Sequence, residues 1–244
     1  MKQTRIGHIE SITRFPVKSM AGIELDESVI GWHGLAGDRR FGIRQVGNKS
    51  GFPWLTARKM PGMLLYRPGG FEESGDEMLP TQVQSPTGEF FELCDDRLSQ
   101  EIGQEMGCRV EFMRIANGIF DDAPVSIIAA STISHVCNQA GIAVDSRRFR
   151  ANIVVKSDNA SPFAEDDWLG RVLVFGDLES APAVHVTKRD MRCKMIGLDP
   201  DTAEHDSSVV KAVVELNENH AGVYGSVVGT GTVHCGDPVF LMES

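Results

Sequence analysis

The sequence lacks the cysteine spacing of several common site types. It has five cysteines, an odd number, and no two of them form a Cys-x-x-Cys pair. This spacing excludes the recognisable structural zinc and iron–sulfur patterns. The cysteines are Cys94, Cys108, Cys137, Cys193 and Cys235. Any redox chemistry would therefore need electrons from another protein.

Nucleotide-binding and hydrolase motifs are also absent. The sequence contains no GxGxxG, no GxxxxGK[ST], no HExxH and no GxSxG. Gly229-Thr230-Gly231-Thr232 lies between two predicted strands, so we predict a hairpin turn there and not a phosphate loop. His185 lies on a predicted strand without a second histidine at ligand spacing, and we expect it to be a packed or surface residue.

Charge and hydropathy exclude two further classes of partner. The net charge is −10, whereas nucleic-acid backbones are bound through an excess of Lys and Arg. No apolar run approaches the roughly 20 residues that span a bilayer. The first residues, MKQTRIGHIE, have no apolar signal core, so we expect a reduced, cytoplasmic protein.

Short extended segments separated by glycine and proline dominate the chain. The predicted strands include 6–12, 23–30, 63–67, 109–114, 125–130, 151–156, 171–175, 183–187, 222–228, 231–234 and 239–242. Segment 68–80 mixes Gly, Pro and acidic residues without periodicity, so we predict an exposed loop with no chemical role. The pattern favours a mainly β protein, either a barrel or a sandwich, over a layered α/β fold.

Helical spacing recurs in only a few places. Segment 95–106 is predicted to be a helix that Asp95 caps. A second helix is predicted to begin with Ser131 as its N-cap and to bury Cys137 in the core, and a third covers 207–217. Cys137 is therefore not expected to be reactive.

One cysteine is surrounded by cations. Cys193 is flanked by Lys188, Arg189, Arg192 and Lys194. Nearby cations favour the thiolate, which is a nucleophile and a soft metal ligand. A cysteine packed as a small hydrophobe beside a solvated basic loop would give the same pattern, and local chemistry leaves both interpretations open. The turn Asp199-Pro200-Asp201-Thr202 favours the first, because we expect its side-chain oxygens to face back over the loop.

Basic, hydroxyl and amide side chains also recur at the ends of predicted strands. These residues are Lys18, Ser19, Arg39, Thr56, Arg58, Ser126, Arg150 and Asn152. Guanidinium groups grip phosphate bidentately, so the set is typical of a site for a small phosphorylated ligand. Each residue is equally compatible with a solvated loop, and the residues alone do not decide between these hypotheses.

A series of short motifs resembles a known family. They are Phe15-Pro16-Val17-Lys18-Ser19, Gly37-Asp38-Arg39-Arg40, Thr56-Ala57-Arg58, Arg148-Phe149-Arg150-Ala151-Asn152-Ile153, Phe163-Ala164-Glu165-Asp166-Asp167-Trp168, Arg192-Cys193 with Asp199-Pro200-Asp201-Thr202, and Gly236-Asp237-Pro238-Val239. In this order they resemble the MOSC superfamily, and in particular the family of the mitochondrial amidoxime reducing component and its bacterial relatives. The resemblance implies a mainly β fold, with an N-terminal MOSC β-barrel domain over 1–120 and the MOSC domain over 121–244.

The resemblance also implies a cofactor and its binding residues. A molybdenum–molybdopterin cofactor is expected between the two parts, with Cys193 at the position of the molybdenum-ligating cysteine. Lys18, Ser19, Arg39, Arg150 and Asn152 fall on positions that resemble pterin and phosphate contacts, and Thr187 and Arg192 lie close enough to join them. Arg58 and Ser126, from the basic and hydroxyl set, complete the candidate cofactor-binding residues.

The function that the resemblance implies is reduction of small N-hydroxylated compounds. Some bacterial relatives continue into a ferredoxin-type domain that this sequence does not include, so we expect a separate donor, a ferredoxin- or flavin-type reductase. A non-catalytic cofactor carrier or sulfur-transfer protein that uses Cys193 is the alternative. A protein that binds another phosphorylated ligand is a third possibility.

Overall fold

The computed structural model describes residues 3–75, 77–93, 95–118, 122–177 and 181–242. Its strands are β1 (Gln3–Arg14), β2 (Ile23–Leu25), β3 (Glu27–Gly31), β4 (Gly34–Leu35), β5 (Phe41–Gln45), β6 (Arg67–Ser74), β7 (Glu77–Gln84), β8 (Phe90–Glu92), β9 (Val110–Arg114), β10 (Val125–Ala129), β11 (Ile153–Ser157), β12 (Val172–Phe175), β13 (Ala183–Met191), β14 (His220–Gly229), β15 (Gly231–His234) and β16 (Pro238–Met242). Its α-helices are α1 (Asp96–Met106), α2 (Ala130–Ala140) and α3 (Ser207–Asn217). The predicted mainly β fold is confirmed.

A closed barrel forms the centre of the molecule. Its strands follow the order β11-β10-β14-β13-β12-β16-β1, and pairing of β1 with β11 closes the sheet. Only β10 and β11 are parallel among these described pairs. Closure leaves no unpaired sheet edge within the ring, and β2 extends it by pairing with β1. The first strand of the chain is therefore part of a barrel whose other six strands begin at Val125 or later.

Successive side chains of the barrel strands β10 and β11 pack alternately into two hydrophobic cores. In β10, Val125 and Ile127 face the barrel interior, while Ile128 packs with the helices α2 and α3 outside it. In β11, Ile153 faces the interior and Val154 faces the helices. Both faces of these strands are buried, which explains why their sequences are nearly continuous apolar runs.

The N-terminal half adds a third core beside the barrel. The strand pair β5–β9, the sheet β6-β7-β8 and α1 enclose it, with Met63, Leu98 and Ile102 fully buried there. Two predictions in this half were wrong. Segment 63–67 is mostly a short 3-10 helix, Pro61–Leu65, and segment 68–80 contains the β6–β7 hairpin. Strand β6 has only one buried residue, and the buried residues of β7, Leu79, Pro80 and Val83, do not alternate, so the apolar alternation that marks a strand is weak.

The predicted helices are present, with one error at a helix start. Asp95 accepts a hydrogen bond from the backbone N–H of Arg97 (2.9 Å) and caps α1 as expected. The N-cap of helix α2 is Ala129, two residues before the predicted Ser131. The Ser131 hydroxyl instead donates to the carbonyl of Ser161 at 2.8 Å. Cys137 is buried in the helix core, as predicted.

The glycine-rich segment after β14 is not the predicted hairpin turn. Strand β15 pairs with β3, from Gly231 opposite Ile30 to His234 opposite Glu27, and not with β14. Segment 229–231 therefore carries the chain from the barrel to a small sheet that contains β3 and β4. Among the described helices, none has the length and apolar character needed to cross a membrane.

Candidate functional site

A cavity of about 220 Å³ lies between the barrel and the N-terminal half. Seven of the predicted site residues line it: Lys18, Ser19, Arg39, Arg58, Arg150, Arg192 and Cys193. They come from distant segments of the sequence, from Lys18 to Cys193. We call this space the Cys193 cavity.

Cys193 directly follows the strand β13 and precedes a short 3-10 helix, Lys194–Gly197. Its side chain is exposed at the cavity wall. The flanking cations do not all face the cysteine. Lys188 forms an ion pair with Asp122 (2.6 Å), and Arg189 forms ion pairs with Asp166 (3.1 Å) and Glu218 (3.3 Å).

Arg192 holds the segment before Cys193 in place. Its guanidinium donates to the carbonyls of Ala221 (2.6 Å) and Phe149 (2.7 Å) and forms an ion pair with Asp190 at 3.0 Å. Both side chains of that ion pair are more than nine-tenths buried. Arg192 thus lines the cavity, but most of its hydrogen-bonding capacity already goes to the protein.

The loop after β1 brings Lys18 and Ser19 to the opposite wall. The Lys18 backbone N–H donates to the Phe41 carbonyl (2.8 Å), beside a parallel bridge between Val17 and Phe41. The Lys18 side chain is buried, and its ammonium lies 5.5 Å from the centroid of the Phe52 ring. Val17, between Pro16 and Lys18, packs in the N-terminal core and anchors this loop.

Three cavity residues have backbone conformations that non-glycine residues rarely adopt. The φ angles of Ser19, Arg39 and Arg150 are +67°, +49° and +52°. Such left-handed residues cost free energy and persist where the surrounding structure enforces them. Their concentration at one cavity is an observation typical of a functional site.

Phe15 supports two of the cavity cations. The guanidinium carbons of Arg150 and Arg39 lie 4.2 Å and 5.1 Å from the centroid of its ring. Arg39 also donates to Asp38, to the side chain of Asn152 (3.2 Å) and to the carbonyl of Arg150 (3.3 Å). These contacts link the Gly37–Arg40 loop to the 148–152 segment of the barrel domain.

Three predicted cofactor-binding residues lie outside the cavity wall. Ser126 and Asn152 are buried and bonded to each other, with the Asn152 side-chain oxygen accepting from the Ser126 backbone N–H at 3.1 Å. Asn152 therefore orients the Arg39 guanidinium by accepting its hydrogen bond, without lining the cavity itself. Thr187 lies on β13, where its hydroxyl donates to the carbonyl of Tyr224 at 3.2 Å.

The cavity wall carries a positive excess within an acidic protein. Its cations are Lys18, Arg39, Arg58, Arg148, Arg150 and Arg192, and its carboxylates are Asp122 and Asp190. Both carboxylates form ion pairs, with Lys188 and Arg192 respectively. The wall therefore favours an anionic ligand.

Several residues that line the cavity were not predicted from the sequence, among them Phe52, Met191 and Tyr224. Met191 stands two residues before Cys193, which was a usable signal. Tyr224 reaches the site because β14 places it opposite Ser126 on one side and Lys188 on the other. Phe52 and Met191 are exposed, so they form an apolar rim next to the cationic wall.

The Phe163–Trp168 motif contacts the strands β13 and β14, which position Cys193. Glu165 is fully buried and accepts hydrogen bonds from the Thr132 hydroxyl (2.8 Å) and the Gly222 backbone N–H (2.9 Å). Burial raises the pKa of Glu165 to about 7, although these hydrogen bonds oppose the shift. The neighbouring residue Asp166 pairs with Arg189 on β13. Both acidic residues thus connect the motif to the strands that position Cys193.

The described residues were searched for groups of side chains that could bind a metal ion. Among the residues that the structure describes, no group of three or more His, Cys, Asp or Glu side chains is arranged to hold a metal ion. His185 is half-buried on β13.

The fold and the cavity together define a barrel protein with a cationic ligand site that exposes one cysteine. The family model of the MOSC domain matches residues 114–240, and that of the MOSC N-terminal beta barrel domain matches residues 6–87. The chain belongs to the MOSC family. MOSC domains are associated with binding of the molybdenum cofactor.

The chain is similar to solved structures at low sequence identity. The YUAD protein from Bacillus subtilis is 14% identical, with a TM-score of 0.53 over 98% of this chain and 97% of that one. YiiM from Escherichia coli is 13% identical, with a TM-score of 0.45 over 99% of this chain and 71% of that one. A comparison with curated proteins gives no match. At these identities the likeness to YUAD shows the fold alone.

Proposed function

We propose that this protein binds the molybdenum cofactor in the Cys193 cavity and reduces small N-hydroxylated compounds there. One observation carries the proposal: Cys193 shares a cavity with cationic side chains from both halves of the chain. A thiolate suits a soft metal centre, and the cations suit the phosphate of molybdopterin. The residues present therefore fit the group that MOSC domains are associated with.

Different side chains would bind different parts of the cofactor. Cys193 would ligate the metal, while Lys18, Arg39 and Arg150 would bind the phosphate. Asn152 and Phe15 orient the two arginines, and Arg192 fixes the backbone next to the thiol. When bound, the molybdenum centre supplies the two-electron chemistry that removes a hydroxyl oxygen.

The proposed reaction also requires a contact surface for the substrate and a source of electrons. The exposed apolar side chains of Phe52 and Met191 would contact the body of a small N-hydroxylated substrate at the mouth of the cavity. Electrons would come from a separate ferredoxin- or flavin-type reductase, as the resemblance to the amidoxime reducing component implies. We propose a cytoplasmic setting, in which Cys193 stays reduced.

Replacement of Cys193 by alanine tests the proposal. Protein from a cofactor-competent host should hold molybdenum near one atom per chain and should convert an amidoxime with a low-potential artificial donor. Cys193→Ala should lose turnover at least 100-fold, because it removes a metal ligand. The matched control is Cys235→Ala, since Cys235 is also exposed but lies outside the cavity.

The exposure of Cys193 also favours the second candidate function, a carrier that passes sulfur or cofactor to another protein. In that case loaded wild-type protein should be inert with several donors and substrates, yet should activate a cofactor-free molybdoenzyme. Protein that contains neither molybdenum nor pterin would contradict both functions and would favour another phosphorylated ligand.

A further inference from the structure

A second cavity of about 340 Å³ borders the Cys193 cavity. Arg148, Arg150 and Met195 line both spaces, so these three side chains form a common wall. Lys18 and Cys193 are not among the described residues that line the second cavity. Its volume falls within the range of about 300–1,000 Å³ that is usual for small-molecule sites.

Apolar side chains form much of the second cavity. Phe15, Leu64 and Leu198 are buried residues that line it. Met195 adds a flexible thioether at the common wall, and such side chains adapt to different ligand shapes. This part of the lining favours a compact apolar body, and an aromatic ring would find stacking partners in Phe15 and the guanidinium groups.

Cations dominate the polar part of the lining. Arg67, Arg147, Arg148 and Arg150 face only two lining carboxylates, Glu24 and Asp201. Arg147 is already committed to Asp145 and Asp201, with distances of 2.8 Å and 2.6 Å. The lining as a whole carries four guanidinium groups and two carboxylates, and this positive excess favours an anionic ligand.

Arg148 strengthens this positive potential. Its side chain is only 9% exposed, and its one described ion pair joins Nη2 to Asp199 at 2.6 Å. Its Nε and Nη1 atoms are buried and have no hydrogen-bond partner in the described part of the chain. A buried cation with incomplete compensation acts at longer range than an exposed one, because little water screens it.

We infer that the second cavity is a separate binding site for an organic anion, a carboxylate or phosphate group attached to a compact apolar body. The apolar lining would hold the body, and Arg67 and Arg148 would hold the charge. The site is independent of the cofactor and goes beyond the proposed reductase function.

Calorimetric titration with two anionic probes tests the inference. We expect 1-naphthoate, 1-naphthyl phosphate or both to bind one-to-one at low ionic strength. The neutral 1-naphthamide should bind at least tenfold more weakly. Binding of naphthoate alone would identify carboxylates as the ligands, and binding of naphthyl phosphate alone would identify phosphate esters.

Two exposed arginines provide a matched pair of variants. Arg67 lines only the second cavity, and Arg58 lines only the Cys193 cavity. Arg67→Gln should weaken binding of the anionic probe at least fivefold, while Arg58→Gln should leave it unchanged. The same difference should persist in protein that holds its cofactor.

Four results would overturn the inference. They are absence of binding, equal affinity for the amide, sensitivity to Arg58→Gln in place of Arg67→Gln, and loss of probe binding on cofactor loading. The last would mean that the cofactor itself extends through the common wall. None of these measurements depends on turnover, so failure of the reductase proposal would leave the test intact.

Discussion

At the scale of single residues, the site depends on buried charges that the protein itself compensates. Asp190 and Arg192 form a buried ion pair directly before Cys193. Breaking such a pair leaves an uncompensated charge, which costs far more than loss of an exposed pair. The cavity cations are therefore part of the folded framework as well as candidate ligand contacts.

Glu165 makes the stability of this framework depend on pH. Its folded-state pKa of about 7 lies above the ordinary value of 4.5, because burial penalises the carboxylate. The folded protein thus binds the proton more tightly than the unfolded chain does. The stabilisation is complete below pH 4.5 and is lost as the pH rises through 7, with a total of about 3 kcal/mol.

We predict that Glu165→Gln removes this pH dependence. The amide keeps the shape of the side chain and can still accept from the Gly222 N–H, but it does not ionise. Between pH 5 and pH 8, urea unfolding should show wild type losing about 2.5 kcal/mol relative to the variant. Parallel behaviour of the two proteins would mean that Glu165 titrates at an ordinary pKa.

At the scale of elements, the β6–β7 hairpin has a role that its sequence concealed. Glu77, near the hairpin tip, accepts hydrogen bonds from Arg40 Nε (2.8 Å) and from the Gly37 backbone N–H (3.0 Å). Burial opposes ionisation of Glu77, but the bonds from Arg40 and Gly37 outweigh it and lower the pKa. The hairpin therefore fixes the Gly37–Arg40 loop, which carries Arg39 into the cavity.

Glu77→Gln should destabilise this loop. Loss of the charge-assisted bonds to Arg40 should cost about 2 kcal/mol at pH 7 in urea unfolding. The lowered pKa means that the effect should shrink at acid pH, as Glu77 of the wild type becomes protonated. The control is Glu73→Gln on the exposed face of the same hairpin, for which we expect a change within about 0.5 kcal/mol. Equal effects of the two substitutions would contradict this role.

At the scale of the whole molecule, the two halves are joined through the barrel. Strand β1 fills the gap between β11 and β16, and β3 pairs with β15. The predicted boundary at residue 120 therefore separates strands that pair with each other. The division into 1–120 and 121–244 stays a prediction for sequence domains, but it is not a division between independent sheets.

A fragment of residues 121–244 should consequently not fold alone. Without β1, the edges of β11 and β16 lose their partners and the barrel core opens to water. We expect no cooperative urea transition for this fragment, and recovery of one when residues 1–120 are co-expressed. A monomeric fragment that unfolds cooperatively by itself would show that β1 is dispensable for closure.

Features that depend on neighbouring residues could be predicted from the sequence. Asp95 and the helical spacing after it determine α1, and the apolar run at 125–130 determines β10, because capping and burial patterns act within a few residues. The family motifs identified Cys193, Lys18, Arg39 and Arg150, and the structure brings these residues into one cavity.

Only the tertiary structure decided which of the remaining side chains belong to the site. Ser126 and Asn152 matched expected positions, but their mutual hydrogen bonds turn them away from the cavity wall. Phe52 and Tyr224 line the cavity without any local signal, because strand pairing and loop packing bring distant segments together. The sequence alone determined the chemistry available to this protein, whereas barrel closure between its two ends determined the geometry, because long-range pairing has no signature within a short window.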